Sequence, residues 1–381
     1  MTHSVGNRAA WGSAIQSRPN CCPFCDGRKI IKRGLRKNSY RRLQIYWCRD
    51  CGKYFSPLAG IKRVKYPPRV IARALCLYNL GYSEQQTAQQ IARECRITVP
   101  RRTLSDWIAG SRSITTFHRL RSAAVQLFSQ GMVKERTLEH QQVYRYKVHL
   151  AKLELAAAVL PGSAVAKVKG YLFTALQGDF PDELFRADAS PGGADTGEKS
   201  TESALRSSTS RFQTLPFSPA ARQNLANDLA ALGLLMARRN KERHPSVQDF
   251  MLANDACTIA CEVPVYLTSD EIRYYKSVGF MVDLPELAKP ITGHIDVVQV
   301  RNGLIHLLDY KPRATAVDPV NQLLVYALAL ASRTRLPLKL FKCAWFDERD
   351  YFEFFPLEAV RTKPLRKSIE LEGPDHPQSA R

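Results

Sequence analysis

Residues 293 to 311 read GHIDVVQVRNGLIHLLDYK, and this stretch decides the fold of the larger half of the chain. Residues 294–300 and 304–311 are apolar-rich, β-prone runs joined through Asn302-Gly303, the pair favoured in a two-residue type I′ hairpin turn. Counting outward from that turn sets Asp296 opposite Asp309 and His294 opposite Lys311. Opposed side chains share a face, with Cβ atoms about 5 Å apart. Two carboxylates at that distance repel by about 3 kcal/mol at an effective dielectric of about 20, so a cation is needed between them. Asp309 and Lys311, two apart on one strand, project from the same face.

Working outward, Glu262 ends the strand-like run TIACEV and supplies a third carboxylate. Oxygen ligands of this kind favour Mg²⁺ or Mn²⁺. Lys311 is placed to orient or help deprotonate a metal-bound water, which is the equipment for phosphodiester hydrolysis. Asp318 and Pro319 read as cap and first position of a helix running to about Ser332, with Gln322 and Tyr326 one turn apart. The plain alternative is a solvated charged hairpin, with His294 as a strand-end histidine or a phosphate contact.

Taken in order, EVPVY, GHID, DYKP and QLLVY resemble the PD-(D/E)XK nuclease superfamily, nearest to the branch containing the recombination exonuclease RecB and the CRISPR adaptation nucleases. The resemblance spans roughly residues 244 to 355. It implies a restriction-endonuclease-like α/β fold, with Glu262, Asp296 and Asp309 as metal ligands and Lys311 as the catalytic lysine. Gln322 and Tyr326 would brace the site or the DNA strand. Ile295 stands where the family name has proline. Only Cys343 follows the motifs, so no iron–sulfur cluster is expected. His244 is either an extra ligand or the start of a helix.

The front of the chain has a different chemistry. Cys22-Pro-Phe-Cys25 and Cys48-Arg-Asp-Cys51 are two C-x-x-C knuckles, the spacing of a closed tetrahedral four-cysteine site for structural Zn²⁺. Cys21 is a spare. Between the knuckles lie Arg28, Lys29, Lys32, Arg33, Arg36, Lys37, Arg41 and Arg42, interleaved with apolar and aromatic residues, a hairpin suited to a phosphate backbone. CPFC followed by QIYWCRDCGKYF resembles the N-terminal zinc ribbon of insertion-sequence transposases, which implies DNA binding.

Three amphipathic stretches follow. The first spans Pro67 to Asn79; Gly81 makes a turn; Ser83 and Gln86 form a capping-box start for the second; Pro100 opens the third. This all-α, trihelical helix-turn-helix also resembles the domain after the ribbon in transposases. Arg101, Arg102, Thr103 and Ser105 would then meet bases or phosphates. A structural bundle is the alternative. The three-carboxylate domain usual in transposases has no counterpart here.

Charge agrees with this division. Of the 56 Lys and Arg, 29 lie in residues 1–160, against 8 of the 35 Asp and Glu, so the whole excess of +21 sits there and the remainder balances. Such a block is the footprint of a polyanion binder. The layout expected is a polar tail (1–20), zinc ribbon (21–56), helix-turn-helix (57–112), helical connector (113–186), flexible Ser/Thr/Gly-rich linker (187–215), nuclease domain (216–360) and charged tail (361–381). Gly197-Glu-Lys-Ser200 in the linker is a decoy phosphate loop. The ten cysteines are too uneven for a secreted disulfide framework. With no membrane-spanning run and no signal peptide in the sequence, the expected setting is cytoplasmic and nucleoid-associated.

The function expected is Mg²⁺-dependent DNA cleavage in a mobile-element, recombination, repair or defence setting. DNA is the expected partner, with further copies of the chain or recombination and transposition proteins as candidates. The rivals are a non-enzymatic DNA-binding regulator or transposition accessory, and an RNA nuclease.

Overall fold

The structure, a computed structural model, describes residues 22, 25, 27–37, 42–55, 66–128, 131–157, 162–185, 206–209, 218–280 and 290–360. Both expected tails, Cys21, Arg41 and the decoy loop lie outside them. The chain divides into two compact units, each assembled from three segments. One is Met1–Gly131, Gln223–Ala256 and Asp347–Arg349; the other is Met132–Arg222, Cys257–Phe346 and Asp350–Arg381.

The first unit opens with β1 (Ile30–Lys37), β2 (Arg42–Cys48) and β3 (Tyr54–Phe55), an antiparallel three-stranded sheet in that order. Its small core is Cys22, Tyr46, Cys48 and Phe55. Helices α1 (Pro68–Asn79), α2 (Glu84–Cys95), α3 (Arg101–Ser111) and α4 (Arg121–Leu127) follow. The expected cap is present: Ser83 Oγ accepts from Gln86 N at 3.1 Å, and Gln86 Oε1 accepts from Ser83 N at 2.8 Å. Arg121 closes the end of α1, donating to the carbonyls of Tyr78 (2.7 Å) and Tyr82 (2.8 Å).

The second unit begins where a helical connector was expected, and here the structure corrects the sequence. Val133–His140 (β4) and Gln142–His149 (β5) form an antiparallel hairpin. Leu138 and Tyr146, eight apart, fit a helical repeat, but they point inward from facing strands. Charged residues on β4 hide its alternation. Helices do follow, as α5 (Leu150–Ala156) and α6 (Gly162–Gln177). Most of the expected linker lies outside the described residues, but 206–209 contradict it: Arg206 bridges Thr292 in parallel, and Ser207 is buried.

After the short β6 (Ala220–Arg222) the chain supplies the first unit with α7 (Leu225–Gly233) and α8 (Arg243–Asn254). The expected nuclease boundary at 216 is therefore also corrected. Helix α8, which His244 helps to begin, packs on α1, where Asn79 donates to Asn254 Oδ1 at 2.7 Å in a buried contact. That is why α1 is buried around most of its circumference, Ala72, Cys76 and Asn79 included.

The remaining elements are β7 (Thr258–Leu267), α9 (Ser269–Ser277), β8 (Ile291–Arg301), β9 (Leu304–Tyr310), α10 (Val320–Thr334), β10 (Phe341–Phe346), β11 (Tyr351–Phe354) and α11 (Pro356–Val360). The eight-stranded sheet runs β4-β5-β7-β8-β9-β10-β11-β6. Among the described strand pairs only β9–β10 is parallel, and α10 is its crossover. Asn302 and Gly303 both have positive φ, 53° and 75°, as the type I′ turn requires. The β8–β9 ladder keeps the expected register from Arg301↔Leu304 to Val297↔Leu308. Helix α10 starts at Val320, whose N–H is accepted by Asp318 Oδ1 at 3.0 Å. Its Leu323, Leu324, Leu328 and Leu330 are buried in the core over the sheet, each worth about 2 kcal/mol.

Candidate metal centre and candidate active site

The four cysteines converge. The Sγ atoms of Cys22, Cys25, Cys48 and Cys51 all lie within 4.8 Å of one another, with Cys22–Cys51 at 3.6 Å and Cys25–Cys48 at 3.7 Å. Zn–S bonds of about 2.3 Å in a tetrahedron give edges of about 3.8 Å, so this cluster could hold zinc. Backbone turns build it: Cys22 N donates to Gly27 O, Gly52 N to Cys48 O and Cys48 N to Lys53 O. Gly27 is needed because a Cβ there would strike Asp50.

On the ribbon Arg28, Lys29, Lys32 and Arg33 are at least partly exposed, and Arg33 lies 5.0 Å from the Trp47 ring centroid. Tyr54 is 61% exposed beside Trp47. Arg36, Lys37 and Arg42 are placed in strands by their backbone only. On α3, Arg101 and Arg102 face solvent and Thr103 is half-buried. Glu84 ties two of the expected contacts together, accepting from Arg101 Nε at 3.1 Å and Ser105 Oγ at 2.8 Å.

In the second unit the hairpin positions its charges as follows. One step beyond the Val297↔Leu308 pair, Asp296 comes opposite Asp309, and there the Asp296 carboxylate replaces a ladder bond by accepting Tyr310 N–H at 2.9 Å. Lys311 N donates to Phe346 O at 2.9 Å, which anchors it on β10. Its Nζ reaches Asp309 Oδ2 at 2.8 Å in an ion pair, while Asp309 is 1% exposed. Burial and then the Asp296 carboxylate push the Asp309 carboxyl well above the ordinary carboxylate range, against the pull of Lys311. Burial alone would lower Lys311, but Asp309 and Asp296 outweigh it and hold the ammonium above its usual value.

Glu262 lies between the Cys261↔Val297 and Val263↔Ile295 pairs, hence opposite Asp296 on the neighbouring strand. Its φ is +54°, a left-handed conformation that costs a non-glycine residue about 1–2 kcal/mol. Among the described residues the four cysteines form the only converged group of three or more ligand side chains, so Glu262 does not close a trio with the two aspartates. The crowded Asp296–Asp309 pair, with its raised carboxyl, does fit a divalent cation.

Gln322 Nε2 donates to Tyr326 Oη at 2.7 Å, and Ser207 also hydrogen-bonds that hydroxyl. A Cβ on Gly293 would overlap Ser207 Oγ and Tyr326 Cε1, which explains glycine at the head of GHID. Sequence reasoning missed Ser207, because a serine in a Ser/Thr-rich run carries no signal.

It also missed a polar chain beside the hairpin that runs from half-buried Asp182 to two buried histidines. Asp182, ion-paired with Arg136, lies 3.0 Å from His140 Nε2, and His140 Nδ1 lies 2.8 Å from His294 Nε2. Phe185 stacks on His140 at 4.2 Å and Tyr144 on His294 at 3.6 Å. Burial, followed by His140, holds the His294 pKa well below its ordinary value.

No helix among the described residues is long and apolar enough to cross a membrane. No family model matches the chain, and no curated protein or solved structure matches it.

Proposed function

We propose that this chain is a DNA-binding, metal-dependent nuclease of the PD-(D/E)XK kind. The observation that carries the reading is the Asp296–Asp309–Lys311 group at the carboxyl end of β9, with one carboxylate buried and pushed toward its neutral form. Perturbed titratable groups of this kind cluster where chemistry is done. A divalent cation on Asp296 and Asp309 would polarise a phosphoryl oxygen and acidify water. Lys311, held protonated, acts as a fixed cation toward the phosphate rather than as a base. Tyr326 and Gln322 brace the opposite side through their mutual hydrogen bond and Ser207.

The first unit would deliver the substrate. Its excess positive charge and the exposed cation–aromatic face of the ribbon suit a nucleic-acid backbone. Zinc on the four cysteines would hold that face together.

The test is incubation of the purified protein with linear DNA, covalently closed DNA and RNA, with Mg²⁺ or chelator. Mg²⁺-dependent DNA cleavage is expected, and binding should weaken steeply with salt because phosphate contacts release counterions. One observation favours a second reading: Glu262 does not converge with the aspartates. A tight gel shift on DNA that stays intact would select that reading, a regulator that binds without cutting; cleavage confined to RNA would overturn the choice of substrate.

A further inference from the structure

The ribbon sheet has two faces of unlike chemistry. Side chains alternate along a strand, and those of opposed residues share a face. Tyr46, Cys48 and Phe55 point into the cysteine core. Their chain neighbours Trp47 and Tyr54 therefore point the other way, and Trp47 is paired with Ile31 on one side and with Tyr54 on the other. This outer face carries two aromatic rings, with centroids 6.4 Å and planes 34° apart. Arg33 lies on the same face, its guanidinium 5.0 Å from the Trp47 centroid. The indole is held in place, since Trp47 Nε1 donates to Gly52 O at 3.0 Å.

Tyr54 nevertheless keeps 61% of its surface exposed, and Arg33 is exposed as well. Lys29 and Arg49, exposed at the end of the same two strands, are joined there by Arg49 N donating to Lys29 O at 2.9 Å. Exposed apolar surface rimmed by polar groups marks an interaction site. The cations alone would serve a phosphate backbone. Aromatic rings gain little from phosphates; what they hold is the flat face of a base. A base in a duplex is stacked between its neighbours and offers only its edges to the grooves, whereas an unpaired strand offers the face itself.

We propose that Trp47, Tyr54 and Arg33 form a stacking platform for unpaired bases, so that the outer face of the ribbon holds single-stranded DNA, with Lys29 and Arg49 on its phosphates. The choice of DNA rests on the nuclease reading; the preference for an unpaired strand rests on the ribbon alone.

The test is fluorescence anisotropy of the full, zinc-loaded chain without added Mg²⁺, using one mixed-sequence oligonucleotide as single-stranded DNA, as duplex DNA and as single-stranded RNA. Tyr54→Ala should bind the DNA single strand about tenfold more weakly and the duplex as the parent does. Its salt dependence should be parental, because no phosphate contact is lost, while Lys29→Ala should make that dependence shallower. Tyr54→Phe keeps the ring and should restore single-strand affinity. Zinc content and thermal midpoint show that the ribbon of Tyr54→Ala is folded. Should that variant lose its zinc, Trp47 decides instead: the single strand should quench the parent's tryptophan emission, and Trp47→Phe should remove that quenching. Parental single-strand affinity in a folded Tyr54→Ala, an equal loss on the duplex, or a parent whose emission is not quenched overturns the platform and leaves the nuclease reading standing. Tighter binding of the RNA than of the DNA single strand overturns the choice of DNA. A Tyr54-dependent single-strand affinity in a parent that leaves DNA intact with Mg²⁺ overturns the nuclease reading and supports the platform.

Discussion

Asp309 makes the most direct test at the scale of single residues. With its carboxyl raised from 3.8 to about 8, the folded chain keeps a proton that the unfolded chain has released between those values. Without metal, stability therefore falls as pH rises from about 4 to about 8 and levels off above. Asp309→Asn should lack that fall, be the more stable protein at pH 8 in chelator, and cut no DNA. Denaturation midpoints at pH 5 and 8 check this, and equal pH slopes in the two proteins would sink it. Lys311→Ala should cut poorly yet still be stabilised by Mn²⁺, because the lysine is not a ligand. Gly293→Ala forces a methyl group onto Ser207 and Tyr326 and should cost about 1–3 kcal/mol, read as a lower unfolding midpoint.

Among the elements, the ribbon is the one whose stability would belong to a metal, held by its four cysteines. Its apolar core is four side chains, two of them cysteines, too small to fold the hairpin alone. Cys48→Ser should drop bound zinc from one per chain to none and weaken DNA binding, while Mg²⁺-dependent cleavage of short DNA at high enzyme concentration persists. Metal analysis showing unchanged zinc would refute the assignment. The β8–β9 hairpin from Val297 to Leu308 and the start of α2 were legible in sequence, because turn and cap chemistry are local: Asn302-Gly303 and Ser83 with Gln86 act over two to four residues; the expected facing of His294 with Lys311 is not a pair of the ladder, since β9 ends at Tyr310. The β4–β5 hairpin was not legible, since its inward Leu138 and Tyr146 also satisfy a helical spacing and only the neighbouring β7 decides between the two.

For the whole molecule, each unit is assembled from separated segments, so simple truncations cut through cores. A fragment ending at residue 112 leaves α1 without α8 and strips the cover from Cys76 and Asn79. A fragment starting at 216 loses β4 and β5 and carries α7 and α8 without their partners. Both should be insoluble or molten, whereas the full chain unfolds cooperatively; circular dichroism melts and proteolysis distinguish these outcomes. A stable, DNA-binding 1–112 fragment would show that α8 is dispensable to the helices.

The sequence by itself determined the four cysteines, the basic front half, the hairpin register that opposes Asp296 to Asp309, and the helix carrying Gln322 and Tyr326. Each is written in spacing or in a turn of a few residues, so its physics is local. Only the tertiary structure decided that residues 133–149 are strands, that 225–254 complete the first unit, and that Ser207 fills the space over Gly293. It alone joined His140, Asp182 and His294. Those outcomes depend on which distant surface is available to bury a side chain or to complete a hydrogen bond, and no spacing along the chain encodes that.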